Sequence, residues 1–409
     1  MTENIENNIK NNIKNTEKSE NTKNTENIEN TDARNGADPT DTRGADVRDK
    51  TELLSLSLDE VRALVAELGE PKYRAEQLYV AMNRGVAPEN ITNIPKTMKA
   101  KLADAAYYHV PEIALRLVSA IDGTRKYLLR LCDGNCIEAV LMKYNHGNTV
   151  CVSSQVGCRM GCRFCASTIG GRVRDLTAGE ILGEVIAVQN DSGERVSNIV
   201  MMGIGEPLDN YDNVVKFLHL VNAPEGLNIG YRHISLSTCG VVPGIRKLAA
   251  EELPITLSIS LHAPDDKTRS EIMPINRSYC ISELMDACRE YYRESGRRIS
   301  FEYTLISGKN DSEAAARSLA GLLNGSLRPR ENNHTNERSG SGNKESMPIH
   351  VNLIPVNDVT ESGFVRSDQR SIDNFARVLE SKGIRATVRR RLGPDINASC
   401  GQLRRSRSE

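Results

Sequence analysis

Tryptophan is missing from this 409-residue chain, and phenylalanine occurs only five times. Aromatic platforms for stacking bases are therefore scarce, so any nucleic-acid recognition rests on Arg and Lys contacts to phosphate and on shape. No apolar run approaches the roughly 18 residues that a membrane span requires. The stretch Met1–Asn30 holds no apolar segment of the secretory type. The expectation is a cytoplasmic protein without membrane attachment, whose ten cysteines stay reduced and serve metal binding or catalysis, not a disulfide framework. Net charge is −1, so no global excess of either sign points to a partner. The imbalance is local: from Lys382 to Glu409 eight Lys and Arg face two acidic residues. Such a segment suits a polyanion, RNA first, and equally suits a solvated terminus.

Ten of the first thirty residues are Asn, and apolar content there is limited to scattered Ile. That composition cannot bury a core, which predicts a disordered leader over 1–50. A second tract, 328–346, lacks aliphatic and aromatic side chains and reads as a disordered insertion. Between them, 51–110 is expected to form a small helical accessory domain. Ser57-Leu-Asp-Glu60 resembles a capping box, and helices follow over Ala75–Met82 and Thr97–Ala106. Residues 111–148 alternate as a β-rich connector with turns at Asp122-Gly123 and Asp133-Gly134.

From Thr149 strands alternate with helices. Strands are expected at Val150–Ser154, Asn198–Met202, His233–Ser237, Ile255–Leu261, Ser300–Leu305, His350–Ile354 and Ile384–Val388. Helices are expected at Thr177–Gln189, Asp212–Val221, Ser282–Glu294, Ser312–Leu323 and Gln369–Ser381. Repeated β-α units imply an α/β fold with a parallel sheet and right-handed crossovers. There are too few units for a closed eightfold barrel, so 149–400 reads as a partial (β/α)6 barrel, followed by a basic tail over 401–409. Sites in such folds gather where strands end.

Three cysteines fall within eight residues, Cys158-Arg-Met-Gly-Cys162-Arg-Phe-Cys165. Clustered thiolates select iron–sulfur clusters, zinc or Cu(I). No Cys or His follows Cys165 within ten residues, whereas a structural zinc site closes with four ligands. Three thiolates on four irons leave one iron open to a small molecule. This spacing resembles that of the radical S-adenosylmethionine (SAM) enzymes, in which the SAM amino and carboxylate groups occupy the open iron. One β-α unit later comes Gly203-Ile-Gly205-Glu206-Pro207. There glycines allow close backbone approach, and a carboxylate can receive an ammonium group. Ser237 and Ser260-Leu261-His262 put polar groups at the ends of apolar strands, which capped strand ends would explain equally well.

Together with the three cysteines, the stretches MMGIGEPL, LSTCGVVP, SISLHAP, VNLIPVN and DINASCGQLR resemble the RlmN family. These are radical SAM adenine C2-methyltransferases acting on 23S ribosomal RNA and transfer RNA. The likeness runs from about residue 55 to 405 and omits the leader and the 328–346 insertion. It implies a [4Fe–4S] cluster on Cys158, Cys162 and Cys165, and two SAM per turnover. SAM contacts would come from Gly205, Glu206, Ser237, Ser260, Leu261, His262 and Asn357, although the segment after Pro355 departs from the family's pattern. By the same resemblance Cys400 first accepts a methyl group on sulfur, its thiolate favoured by nearby Arg. A carbon radical made from the second SAM then activates that methyl for addition to adenine C2, an electron-poor carbon that cannot itself attack a sulfonium. Cys151 releases the protein–RNA thioether by a disulfide with Cys400, and Glu138 accepts the proton.

On residue chemistry alone, Cys151 could be a small buried apolar residue and Glu138 an edge charge. The remaining cysteines, Cys132, Cys136, Cys239, Cys280 and Cys288, default to buried small hydrophobes. The substrate demands an unstacked adenine, so loops are preferred over duplex. The further implications are an electron donor such as flavodoxin or ferredoxin, and a monomer. Three rivals stand: the C8-methylating antibiotic-resistance relative, an iron–sulfur RNA-binding sensor, and a structural zinc module. The SLHAP and GVVP contexts and the N-terminal helices favour C2, and Cys400 with Glu206 exceeds what a sensor needs.

Overall fold

A computed structural model describes residues 50–327, 347–357, 362–399 and 402. The leader before Lys50, the 328–346 insertion, Cys400 and the tail apart from Gln402 lie outside the described residues.

The chain opens with a short strand β1 (Thr51–Glu52) and three helices, α1 (Leu58–Glu67), α2 (Tyr73–Asn83) and α3 (Lys96–Ala105). It returns as β2 (Ala106–Tyr107), parallel to β1. Ser57 begins α1 with the expected reciprocal cap: its Oγ accepts from Glu60 N at 3.2 Å, and its own N–H donates to the Glu60 carboxylate at 2.7 Å. Val61 and Val65 from α1, Leu78 and Met82 from α2, and Met98 and Leu102 from α3 close a shared apolar interior. At roughly 2 kcal/mol for each such side chain, this burial is the main reason the helices hold together.

One sheet of ten strands follows, ordered β14-β13-β12-β11-β10-β9-β6-β5-β4-β3. The first three, β3 (Glu112–Val118), β4 (Arg125–Arg130) and β5 (Cys136–Tyr144), form an antiparallel meander whose turns fall at the two Asp-Gly pairs. Strand β6 (Gly147–Cys151) pairs antiparallel with β5 and parallel with β9 (Val196–Met201), joining meander to barrel. A small hairpin, β7 (Gln155–Gly157) with β8 (Arg172–Asp175), and helix α4 (Ala178–Ser192) lie between β6 and β9. The remaining units are α5 (Tyr211–Asn222), β10 (Ile234–Thr238), α6 (Val242–Ala250), β11 (Thr256–Ser260), α7 (Asp266–Ile272), α8 (Ile281–Ser295), β12 (Ile299–Leu305), α9 (Glu313–Leu327), β13 (Ile349–Pro355), α10 (Gln369–Ser381) and β14 (Arg385–Val388). Seven parallel strands joined by six helical crossovers make the partial (β/α)6 barrel.

Helix α6 has no counterpart in the pattern reading. Pro243 and Gly244 disguise it, yet Pro is tolerated in a first turn because that N–H has no helical partner. Strand β6 also ends three residues before the expected Ser154, because the chain turns at Val152 toward β7.

Alternation along the strands sorts side chains between two environments. On β12, Phe301 and Tyr303 are fully buried on the outer face, where Tyr303 meets Phe375 of α10 with ring centroids 5.0 Å apart. Ser300, Glu302 and Thr304 face inward. Inward residues on neighbouring strands are also polar: Ser235 and Ser258 hydroxyls lie 3.2 Å apart, and Ser300 Oγ lies 3.2 Å from His350 Nδ1. Apolar residues on the outer face hold the helices, and the polar inner face is left for function.

Candidate active site

The loop between β7 and β8 carries the three cysteines. Its first hinge is Gly157 at φ +78°, where a Cβ would lie 1.9 Å from the Gly171 carbonyl oxygen, so no side chain fits. The loop is pinned along its length. Arg159 Nε donates to Asp209 Oδ2 at 2.9 Å, the Arg163 amide donates to the Ile272 carbonyl at 3.0 Å, and Thr168 Oγ1 donates to the Cys165 carbonyl at 2.9 Å. Cys158 and Cys162 are buried and Cys165 is half-buried. Burial pushes the Cys158 thiol up to about 12 and Cys162 well above its ordinary value.

All three cysteines line one cavity of about 150 Å³, together with Gly205, Glu206, Ser237, Ser260, His262 and Asn357. Among the described residues no three His, Cys, Asp or Glu side chains converge on a single metal-ion position. A cubane takes one thiolate on each of three irons, so its ligands surround a volume and need not meet at a point. Three thiols and the Glu206 carboxylate lining one cavity fit such a group and its small-molecule ligand.

The carboxylate is Glu206, which is 3% exposed. Its amide donates to Gln155 Oε1 at 2.9 Å, while its own oxygens accept from the Cys239 amide at 2.7 Å and the Leu208 amide at 3.1 Å. Burial pushes this carboxyl up, and the two amides oppose the shift. Gly205 at φ +107° brings the backbone against Ser154 and Gln155. Ser237 Oγ and Ser260 Oγ lie 3.4 Å apart at the ends of β10 and β11. Leu261 turns its side chain into the core with no exposed surface, so only its backbone is available to a ligand. His262 adopts a left-handed backbone at φ +56°. Its Nδ1 accepts from the Thr304 amide at 2.9 Å, which leaves the ring proton on Nε2. The ring meets Phe164 edge-on at 4.9 Å, and burial together with the Arg269 charge brings the imidazole down to about 3.

A second cavity adjoins the first, sharing Met202, Ile354, Asn357 and Arg389 as common wall. It is lined by Cys151, Arg366, Arg390, Arg391 and Ser399. Cys151 is 6% exposed and pairs with Val140 across β5 and β6. Glu138 stands two residues before Val140 on the same strand face but lines neither cavity. It is 6% exposed and bonded to Lys126 Nζ at 2.8 Å. The same ammonium donates to the Asn397 carbonyl at 3.4 Å, tying β4 to the C-terminal segment. Cys400 lies outside the described residues; Ser399, its chain neighbour, is on the second cavity.

Several residues of the site escaped the sequence reading. Asp209 grips Arg159 of the cysteine loop and Gln155 of β7. Arg269, with no exposed surface, donates to the carbonyls of Cys239 at 2.6 Å, Ser260 at 3.2 Å and Leu261 at 3.1 Å, bracing two strand ends. Glu302 was legible as the one carboxylate in the strand ISFEYTL. Asp209 carried no local signal, because its partner Arg159 is 50 residues away, and nothing near Arg269 in the chain marks its bond to the Cys239 carbonyl 30 residues back. Of the cysteines taken as small hydrophobes, Cys136 and Cys288 are buried, Cys239 is buried on the first cavity wall, and Cys132 and Cys280 are only half-buried. Cys280 departs from that expectation because it stands at the N-cap of α8, at an exposed helix start.

The Radical SAM superfamily profile matches residues 152–319, the span from the end of β6 into α9. A probable dual-specificity RNA methyltransferase RlmN of Clostridium perfringens (strain SM101 / Type A) is 51% identical over 356 residues, covering 87% of this chain and 96% of that protein. A relative of the same description in Alkaliphilus oremlandii (strain OhILAs) is 49% identical over 358 residues, covering 87% and 98%. The crystal structure of a radical SAM methyltransferase from Sphaerobacter thermophilus aligns with a TM-score of 0.79 at 42% identity, covering 87% of this chain and all of that one. The superfamily's cofactors, a [4Fe–4S] cluster and SAM, match the thiol-lined cavity. The chain belongs to the RlmN family of dual-specificity RNA methyltransferases, within the radical SAM superfamily.

Proposed function

We propose that the protein methylates C2 of adenine in 23S ribosomal RNA, at the peptidyl transferase centre, and in transfer RNA, at the anticodon loop. The observation that carries this reading is the junction of the two cavities, one bearing the three cysteines and Glu206, the other bearing Cys151 and arginines.

When bound, the cluster and SAM supply one-electron reduction and a hydrogen-abstracting carbon radical. Cys158, Cys162 and Cys165 hold the cluster. Glu206 receives the SAM ammonium, and Gly205, Ser237, Ser260, the Leu261 backbone, His262 and Asn357 surround the rest. Cys400 carries the methyl group on sulfur, Cys151 resolves the thioether to RNA by forming a disulfide with Cys400, and Glu138 accepts the adenine proton. Arg366, Arg390 and Arg391 on the second cavity suit phosphates flanking an unstacked adenine. A cytoplasmic monomer served by a flavodoxin- or ferredoxin-type donor completes the proposal.

Reconstituted protein, SAM, reductant and unmodified RNA test it through mass spectrometry of the digested nucleosides. 2-Methyladenosine is expected; 8-methyladenosine would assign the chain to the C8 chemistry instead, and the absence of both products would overturn the reading. Cys151→Ala should accumulate a covalent RNA–protein adduct visible on a denaturing gel. Normal turnover of that variant without adduct would remove Cys151 from its role.

A further inference from the structure

One buried carboxylate on the first cavity has work left undone by the contacts around it. Glu302 is 2% exposed on the inward face of β12 and lines the cavity with Ser260, Thr304 and Arg389. Its Oε1 accepts from Asn352 Nδ2 at 2.8 Å, and the same Asn352 nitrogen lies 3.1 Å from Ser300 Oγ. Its Oε2 is buried and has no hydrogen-bond partner among the described residues. Arg389 Nη1 stands 4.0 Å from that oxygen, too far for a hydrogen bond. A buried acceptor in this state is costly unless a ligand supplies the donor.

The surroundings narrow the donor. An ammonium at Oε2 would sit close to the Arg389 guanidinium and be repelled by it, and Glu206 provides a separate carboxylate for that group. A neutral donor is left. Ser260 and Thr304, whose hydroxyls both donate and accept, line the same cavity and suit a sugar diol, whereas an exocyclic amine mainly donates. Glu302 is also rigidly placed relative to the rest of the pocket: its backbone carbonyl accepts from the Leu261 and His262 amides at 3.1 and 3.2 Å.

We propose that Glu302 receives a ribose hydroxyl of SAM on Oε2 and so fixes the sugar in the first cavity. The assignment rests on the SAM-binding reading of that cavity. It gives Glu302 a binding role that none of the sequence motifs marks, and it places the sugar against β12 in the cavity that the cysteines also line.

The test is equilibrium binding of SAM and of its 2′-deoxy and 3′-deoxy analogues to cluster-reconstituted full-length protein under anaerobic conditions. Wild type is expected to bind at least one deoxy analogue about tenfold or more weakly than SAM, the effect of one lost charge-assisted hydrogen bond. Glu302→Gln is expected to weaken SAM by a similar factor and to shrink the SAM-to-deoxy ratio, with iron content unchanged. Wild type binding SAM and both deoxy analogues equally would overturn the diol site alone, and that arm depends on no variant folding. Wild-type affinity for SAM in Glu302→Gln, with the ratio intact, would also overturn it. Reconstituted wild type that binds no SAM would overturn the proposed function together with this site.

Discussion

Gly205 shows how little freedom the loop after β9 leaves to a single residue. A Cβ there would stand 2.7 Å from both Gln155 Cβ and Ser154 Oγ, at a φ of +107° that suits only glycine. Gly205→Ala should therefore destabilise the protein by about 1–3 kcal/mol. It should also weaken SAM binding, because the displaced Gln155 holds the Glu206 amide. Denaturant midpoints and SAM titration read both effects. His262 makes a pH-dependent case. Its folded value of about 3 lies below the ordinary 6.5, so between those values the unfolded chain binds a proton that the folded chain refuses. The stability contributed by this neutral ring is complete above about pH 6.5 and falls as pH drops toward 3. From pH 7 to pH 5 the wild type should lose about 2 kcal/mol relative to His262→Gln. Urea midpoints of the two proteins at both pH values check this, and an unchanged gap would contradict it. At this scale the sequence was most legible where partners are neighbours in the chain. The Ser57 cap and its Glu60 partner, like the three cysteines of the C-x3-C-x2-C stretch, fall within a few residues of one another. Asp209 does not lie so near its partners, and Arg269 reaches Cys239 only after the barrel forms.

Among the elements, the junction of meander, hairpin and helix depends on one guanidinium. Arg174 of β8 reaches Asp133 in the β4–β5 turn at 2.6 Å and both oxygens of Glu180 in α4 at 2.7 and 2.8 Å. Glu180 in turn completes the cap of α4, accepting from the Thr177 amide at 3.0 Å. Arg174 holds Asp133 below the usual carboxylate range even though burial acts the other way. Arg174→Met should leave Glu180 buried without its cation and lower stability by about 2 kcal/mol, partly recovered by Arg174→Lys. Thermal denaturation compares the three proteins. The same elements show what pattern reading can and cannot reach. Alternating periods located every barrel strand, because strands such as β12 alternate between a buried apolar face and a polar one. Helix α6 was lost because its first turn carries Pro243 and Gly244, residues that signal a loop when read without their partners.

For the molecule as a whole, the fold class, a partial barrel of alternating strands and helices, followed from sequence order. The joining of the meander to the barrel did not, because the β5–β6 and β6–β9 pairings have no signature in a single strand. No helix among the described residues is long and apolar enough to cross a membrane. Residues 1–49 are rich in Asn and poor in apolar side chains, a composition that supplies little surface for a core. Lys50 is the first residue with a described contact, its ammonium donating to the Ala103 carbonyl at 2.8 Å. Removing residues 1–49 should thus leave methyl transfer to RNA in vitro within about twofold of the full chain and Tm unchanged. A larger loss of activity at constant Tm would assign the leader to RNA capture. The two-sided character of β12 has one more consequence. Substitutions along this strand should divide by parity. Exchanges at Phe301 or Tyr303 damage folding before chemistry, while exchanges at Glu302 or Thr304 spare folding and empty the chamber of its guest. A saturation screen scored separately for abundance and turnover would therefore show a two-residue beat along β12, absent from the helices behind it.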